Sequence, residues 1–361
     1  MDYEFGEGIY LRNEDEVRNF FEGKENALLI LGCGFDPRMN VGVKTLNPLI
    51  INLDVWVLHY GRNNNSRSKI NNKISQGNLS DLKQICKNIF EIRIERFAHG
   101  NEKSDIAYMS IKEKIQRGML LGYKHIIIDI SAMPRTISFS LVEYIRRIKD
   151  VNQKVYILVC ENSKYDDKIE EIPARDAAQY MQCFNLFSAG REAVSESTTV
   201  WVPVMGYHEL AAFKKIAEYV RADEICPVIP FPAEDIRRGE EIIRNYGDYL
   251  FKNLKIEKRN IMYAPEKAPM LVYTKLVDTI LSYERALCDI ADDEETRYVF
   301  SSQSSKLIDV GILLALLDLK KKNLIVTMAY VENGGYSQPE PCDEKYNHLS
   351  CVCMDDKEFE W

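Results

Sequence analysis

No stretch of the 361 residues approaches 18 consecutive apolar side chains, so the sequence offers no candidate membrane-spanning helix. It also lacks an excess of positive charge. With 47 Lys and Arg against 55 Asp and Glu, the formal net charge is −8, which argues against coating a duplex or an anionic membrane through bulk charge. There is no Gly-x-Ser-x-Gly elbow, no Gly-x4-Gly-Lys-Ser/Thr loop and no His-Glu-x-x-His pair, so serine-hydrolase, P-loop and zincin chemistry find no motif here. A paired cysteine framework is missing too. The nine cysteines are odd in number, and Cys33, Cys86, Cys160, Cys183, Cys226 and Cys288 are scattered through apparent strands and helices, as small buried hydrophobes of a reducing compartment. The opening MDYEFGEGIYLRNEDE is acidic where a secretory signal would be basic and then apolar, so a cytoplasmic location is expected.

What is present is ample apolar material, 46% of the chain with 20 Tyr, enough for two cores at roughly 150 residues per domain. Short apolar runs alternate with amphipathic stretches, the pattern of βα units around a parallel sheet. In the first half the strand candidates are Ala27–Leu31, Leu53–Leu58, Ile92–Phe97, His125–Asp129 and Val155–Val159. In the second they are Val200–Met205, Glu224–Ile229, Asn260–Ala264, Thr296–Phe300 and Leu324–Met328. Landmarks at 28, 131 and 155 recur at 200, 302 and 325, a steady offset of about 171 residues that predicts a duplicated unit. The expected fold is therefore α/β: two similar five-stranded, doubly wound Rossmann-like units at 27–163 and 198–332. A 1–26 extension with a short helix at Asn13–Gly23, a 164–197 linker with a helix at Arg175–Phe187, and an irregular 333–361 tail complete the division.

Ligands of open parallel sheets bind beyond the carboxyl ends of the strands, so the loops after strands one and four carry the interest. After strand one comes Gly32-Cys33-Gly34-Phe35-Asp36-Pro37-Arg38. Its glycines permit close backbone approach, and Arg38 can pair with phosphate or carboxylate, or else with Asp36 as a structural pair. After strand four comes Asp129-Ile130-Ser131-Ala132-Met133-Pro134-Arg135-Thr136, leading into an amphipathic helix. Hydroxyls and N–H groups at a helix N-terminus, with a cation close by, suit an anionic oxygen. The equivalent place in the second half reads Ser301-Ser302-Gln303-Ser304-Ser305-Lys306, which keeps Ser-x-x-x-Lys with Phe300 in place of the acid. Ser302, Ser304, Ser305 and Lys306 form a candidate phosphate cradle there.

Asp129-x-Ser131-x-x-x-Arg135 resembles the Asp/Asn-x-Ser/Thr-x-x-x-Arg/Lys motif that follows strand four in CARF domains, the Rossmann-like sensors of cyclic oligonucleotides in CRISPR-associated proteins. Two such units in one chain also resemble the SAVED arrangement of antiphage signalling. The resemblance rests on seven residues and on the topology around them. It implies a regulatory protein that binds a nucleotide-derived anion and acts through a separate effector or a homodimer. A catalytic role is the less favoured expectation, and no resident cofactor, no metal and no sequence-specific DNA binding are expected.

Further readings remain open. The Gly32–Arg38 loop can instead serve a nucleotide-processing hydrolase or a SAM-dependent transferase, and the rim charges of a structural subunit can contact RNA or protein in a defence complex. Cys342, His348, Cys351 and Cys353 could supply four zinc ligands. Arg93–His99 has a nuclease-like Arg-x5-His spacing, and His208 with Glu209 could pair as acid and base. Cations at 61–69 and 230–238 follow the second strand of each half and extend the rim charge.

Overall fold

The computed structural model describes residues 3–6, 8–60, 66–98, 101–166, 177–184, 197–206, 210–288, 295–332 and 343–357. It divides into two compact units that are not contiguous in sequence. The first comprises Glu7–Glu170 and Gln338–Trp361, and the second Met1–Gly6 and Glu171–Ser337.

The first unit runs β1 (Gly8–Leu11), α1 (Glu14–Phe21), β2 (Glu25–Cys33), α2 (Val41–Leu46), β3 (Ile51–His59), α3 (Ser66–Ile85), β4 (Ile89–Arg93), a β5 (Phe97–Ala98) and β6 (Asn101–Asp105) hairpin, α4 (Ala107–Lys114), β7 (His125–Asp129), α5 (Arg135–Ile148), β8 (Lys154–Glu161) and α6 (Ser163–Asp166). The last strand of the chain, β16 (His348–Lys357), returns to it. Its sheet order is β1-β16-β8-β7-β2-β3-β4, with β4 to β8 through β3, β2 and β7 all parallel. Leu29, Leu31, Val55 and Val57 pack with Val17, Phe21, Val43 and Leu82 of α1, α2 and α3. The residues that alternate with them, Leu28, Ile30, Ile126 and Ile128, are turned to the opposite face and equally buried. Burial on both faces is why these strands read as unbroken apolar runs. Asn13 caps α1, accepting the Glu16 N–H as its position before an acidic first turn predicts.

In the second unit β9 (Gln179–Tyr180) precedes β10 (Ser197–Val204), α7 (Leu210–Val220), β11 (Glu224–Ile225), β12 (Val228–Pro230), α8 (Arg238–Asp248), β13 (Met262–Ala264), α9 (Pro269–Cys288), β14 (Glu295–Ser302), α10 (Lys306–Lys321) and β15 (Ile325–Tyr330). The order β13-β12-β10-β14-β15 repeats that of β4-β3-β2-β7-β8, all parallel, with β9 antiparallel on β15 and β11 beside β10. The chain thus holds two Rossmann-like units in tandem. Trp201 and Val299 of its strands pack against Phe213, Ile216, Ile242 and Tyr246 of α7 and α8. Helices α9 and α10 approach closely at Gly311, where a Cβ would stand 2.7 Å from the Pro269 carbonyl and Val272.

Both chain ends depart from the expected extension and tail. The stretch 348–357, expected to be irregular, is β16, antiparallel to β8 on one side and β1 on the other. Leu349, Cys351 and Cys353 face the core while Ser350, Val352 and Met354 are buried on the other face, so the segment has two apolar sides to cover. Asn162 fixes its entry, donating to the Asp343 carbonyl (3.1 Å) and to Asn347 Oδ1 (2.9 Å), and Asp355 accepts the Val155 N–H (2.8 Å). At the other end, Phe5 N–H donates to the Tyr273 hydroxyl, which donates to the fully buried Asp318. The Tyr3 hydroxyl donates to Asp278. In the linker, where a helix is expected, the described residues 177–184 form β9 and a 3-10 turn at Gln182–Phe184.

Candidate functional site

The parallel order brings the carboxyl ends of β2, β3, β4 and β7 to one rim of the first unit. Asp129 ends β7 and is 1% exposed. Its Oδ1 accepts the Ser131 N–H (2.9 Å) and hydroxyl (2.5 Å), while the Ser131 oxygen accepts the Cys160 N–H of β8 (2.8 Å). The first two motif residues therefore lock the loop inward. The other Asp129 oxygen approaches α2, where a Cβ on Gly42 would stand 2.4 Å from it and 2.6 Å from Leu158. Gly42→Ala is expected to destabilise the first unit by about 1–3 kcal/mol, the usual range for forcing extra volume into a packed site. Urea denaturation monitored within this unit checks it, and an unchanged midpoint would show that the loop tolerates displacement of Asp129.

Arg135 is the first residue of α5 and is half-buried; Thr136 follows it, 4% exposed. The Thr136 hydroxyl accepts a hydrogen bond from Arg96 Nη2 (3.2 Å), a residue beyond β4. Two guanidinium groups thus belong to the first turn of α5, one by sequence and one by reach, at the positive end of the helix dipole. Tyr60, just past β3, donates its hydroxyl to the Ala132 carbonyl (2.9 Å) and ties the β3 end to the loop after β7. Burial pushes that hydroxyl well above its ordinary range, so it stays a donor.

The Gly32–Arg38 loop closes the same rim. Gly32 is occupied by its own surroundings, since a Cβ would meet the Tyr60 hydroxyl at 2.1 Å and Met133 at 2.8 Å. Gly34 has more room, its nearest neighbour being the Ala132 carbonyl at 3.6 Å. Arg38 is 6% exposed and clamped: Nε and Nη2 donate to Asp36 (3.0 and 2.7 Å) and Nη1 donates to Asp166 (3.0 Å). Burial opposes its charge, but the two carboxylates more than offset this and hold it protonated. The structural pairing of Asp36 with Arg38 is thus the observed one. Between the glycines, burial with the Glu91 charge in support pushes the Cys33 thiol up to about 11, so thiolate chemistry at neutral pH is disfavoured there.

The second unit organises its equivalent loop differently. Ser302, the last residue of β14, donates its hydroxyl to Asp309 (2.6 Å) and accepts the Ser304 N–H (3.3 Å). Asp309, in the first turn of α10, thereby serves its serine as Asp129 serves Ser131, and explains how Phe300 can stand where the acid is expected. Ser301 accepts the Trp201 indole N–H (3.0 Å), and Ser305 caps α10 by accepting the Ile308 N–H (3.5 Å). Lys306 is half-buried at the first position of that helix. Across the rim, Arg238 is paired with the buried Glu266, which also accepts the Glu234 N–H (2.9 Å).

Tyr60, Arg96 and Asp309 were not marked by any motif. Arg96 falls within the Arg93–His99 spacing, while Asp309 is one of two acids, with Asp318, inside an apolar helix and nothing local distinguishes it. His99, His208, Glu209, Cys342 and residues 61–65 lie outside the described residues. Cys351 and Cys353 are core residues of the first unit, and among the described residues no group of three His, Cys, Asp or Glu side chains is arranged to hold a metal. No helix among them is long and apolar enough to cross a membrane.

No protein-family model matches the chain, and no curated protein does. Among solved structures it is similar to a protein from Pseudomonas aeruginosa UCBPP-PA14 assigned to the universal stress proteins, at 9% identity and a TM-score of 0.23, covering 85% of this chain and 93% of that one. It is also similar to the tRNA methyltransferase TrmK of B. subtilis, at 8% identity and a TM-score of 0.25, covering 87% and 98%. Superpositions this loose carry no functional information.

Proposed function

We propose that this chain is a ligand-sensing regulatory protein that binds a nucleotide-derived anion, a cyclic oligonucleotide by class, at the strand-end rim of its first unit. One observation carries the reading: Arg96 reaches the first turn of α5, the turn that Arg135 opens and that Asp129 and Ser131 hold in place from within. In a protein of net charge −8, that pairing concentrates positive charge on one helix terminus. Arg135 and Arg96 pair with a phosphate, the Thr136 hydroxyl and first-turn N–H groups donate to its oxygens, and Gly34 leaves backbone room beside it. Lys306 opens the corresponding helix of the second unit, whose serine hydroxyls are committed to their own loop. Binding is read out by a separate effector or a second copy of the chain, in the setting of antiviral defence that the motif suggests.

The test is calorimetry against cyclic and linear oligonucleotides, NAD and SAM, with the ligand recovered and weighed by mass spectrometry. Heat with a cyclic oligonucleotide that is recovered intact is expected. Binding of SAM or NAD alone, or conversion of the ligand to products, would replace the sensor with a transferase or hydrolase.

A further inference from the structure

The geometry of β4 points to a symmetric dimer: we propose that two copies of the chain pair antiparallel along this edge, about a two-fold axis at Ile92. Strand β4 ends its sheet and pairs, among the described residues, with β3 alone. The Ile94 N–H donates to the His59 carbonyl (2.8 Å), so Phe90, Ile92 and Ile94 direct their backbone groups toward β3. By alternation Glu91 and Arg93 direct theirs to the open side. The next outward N–H, that of Glu95, donates to the Ser110 hydroxyl of α4 (2.9 Å), which bounds the open stretch.

In an antiparallel pair the residues that exchange two hydrogen bonds are those whose backbone faces the partner. A two-fold at Ile92 therefore sets Glu91 opposite Arg93 of the second copy, twice, with four backbone hydrogen bonds between them. Axes at Glu91 or at Arg93 would instead set like charges opposite one another, which is unfavourable. Charge thus selects one register. Arg93 is exposed and makes no ion pair among the described residues, while Lys83 Nζ (2.6 Å) and His59 Nε2 (2.8 Å) hold the Glu91 carboxylate in place. A carboxylate has about four lone-pair sites, so Glu91 can accept Arg93 of the second copy as well. On the other face of the strand the Phe90 ring is 52% exposed beside Trp56, apolar surface at the edge itself. Five residues make a small contact, at the low end of specific interfaces, so the dimer is reversible and depends on concentration.

Light scattering across a dilution series tests this with two charge reversals. The wild type is expected to reach a mass near twice the 41.8 kDa of the chain. Arg93→Glu places two acids opposite each other and Glu91→Arg two bases, so each alone is expected to weaken the dimer by about tenfold or more. Mixing the two variants restores both pairs and is expected to yield a heterodimer. A wild type that stays monomeric at the highest concentration, an Arg93→Glu protein as dimeric as wild type while its thermal unfolding shows it folded, or two variants that ignore each other on mixing would each overturn the proposal.

Discussion

Deleting residues 343–361 is expected to abolish the cooperative unfolding of the first unit while the second continues to unfold as before. Strand β16 is paired along six residues with β8 and is also the partner of β1, so its loss strips both neighbours of hydrogen bonds. Leu349, Val352 and Met354 are each at most 5% exposed. At about 1.5–3 kcal/mol per fully buried side chain, these three alone account for about 5–9 kcal/mol, comparable to the roughly 5–15 kcal/mol that stabilises a whole domain. Differential scanning calorimetry combined with protease mapping of residues 8–166 measures the effect. A synthetic 343–361 peptide added to the truncated protein is expected to recover protection. Unchanged protection after the truncation would mean that β16 is dispensable and that the first unit closes without it.

The second large effect falls on one glycine of the second unit. A Cβ on Gly206 would stand 1.6 Å from the Gln303 carbonyl oxygen, a backbone atom that no rotamer change can remove. Gly206→Ala forces apart the loops after β10 and β14 and is expected to cost about 3 kcal/mol, the upper end of overpacking penalties. Gly34→Ala, where the nearest atom is 3.6 Å away, is expected to stay within about 0.5 kcal/mol, as for an ordinary tolerated substitution. Urea midpoints of the two variants compare them directly. Equal, small shifts would show that the Gly206 loop is not held against Gln303.

The parallel cores were legible in the sequence because their strands are buried on both faces and appear as apolar runs. His125–Asp129 has the observed limits, and the repeated strand order agrees with the offset of about 171 residues. Strand β16 was obscured because Pro- and Glu-rich residues precede it and only seven of its residues, HLSCVCM, lead into an acidic end. A strand whose partners lie some 190 and some 340 residues earlier leaves no local signal, because pairing over such distances is a property of the fold. The site divides in the same way. Asp129, Ser131 and Arg135 share a short motif and could be found together, whereas Arg96 and Asp309 act through contacts 40 and 7 residues away and could not. The Asp36–Arg38 pair shows the opposite limit: the spacing was visible, but the second carboxylate that completes the clamp, Asp166, is 128 residues distant.

Titration calorimetry of the tightest-binding cyclic oligonucleotide against the wild type and the Arg96→Ala, Arg135→Ala and Lys306→Ala variants tests the central claim most directly. Loss of a charge-assisted hydrogen bond is worth about 1.5–3 kcal/mol, so Arg96→Ala and Arg135→Ala are each expected to weaken binding by about tenfold or more. Lys306→Ala lies in the second unit and serves as the control, expected to leave this affinity unchanged. Absence of binding to the wild type, or affinities unchanged by both arginine substitutions, would contradict a sensor site at the first turn of α5.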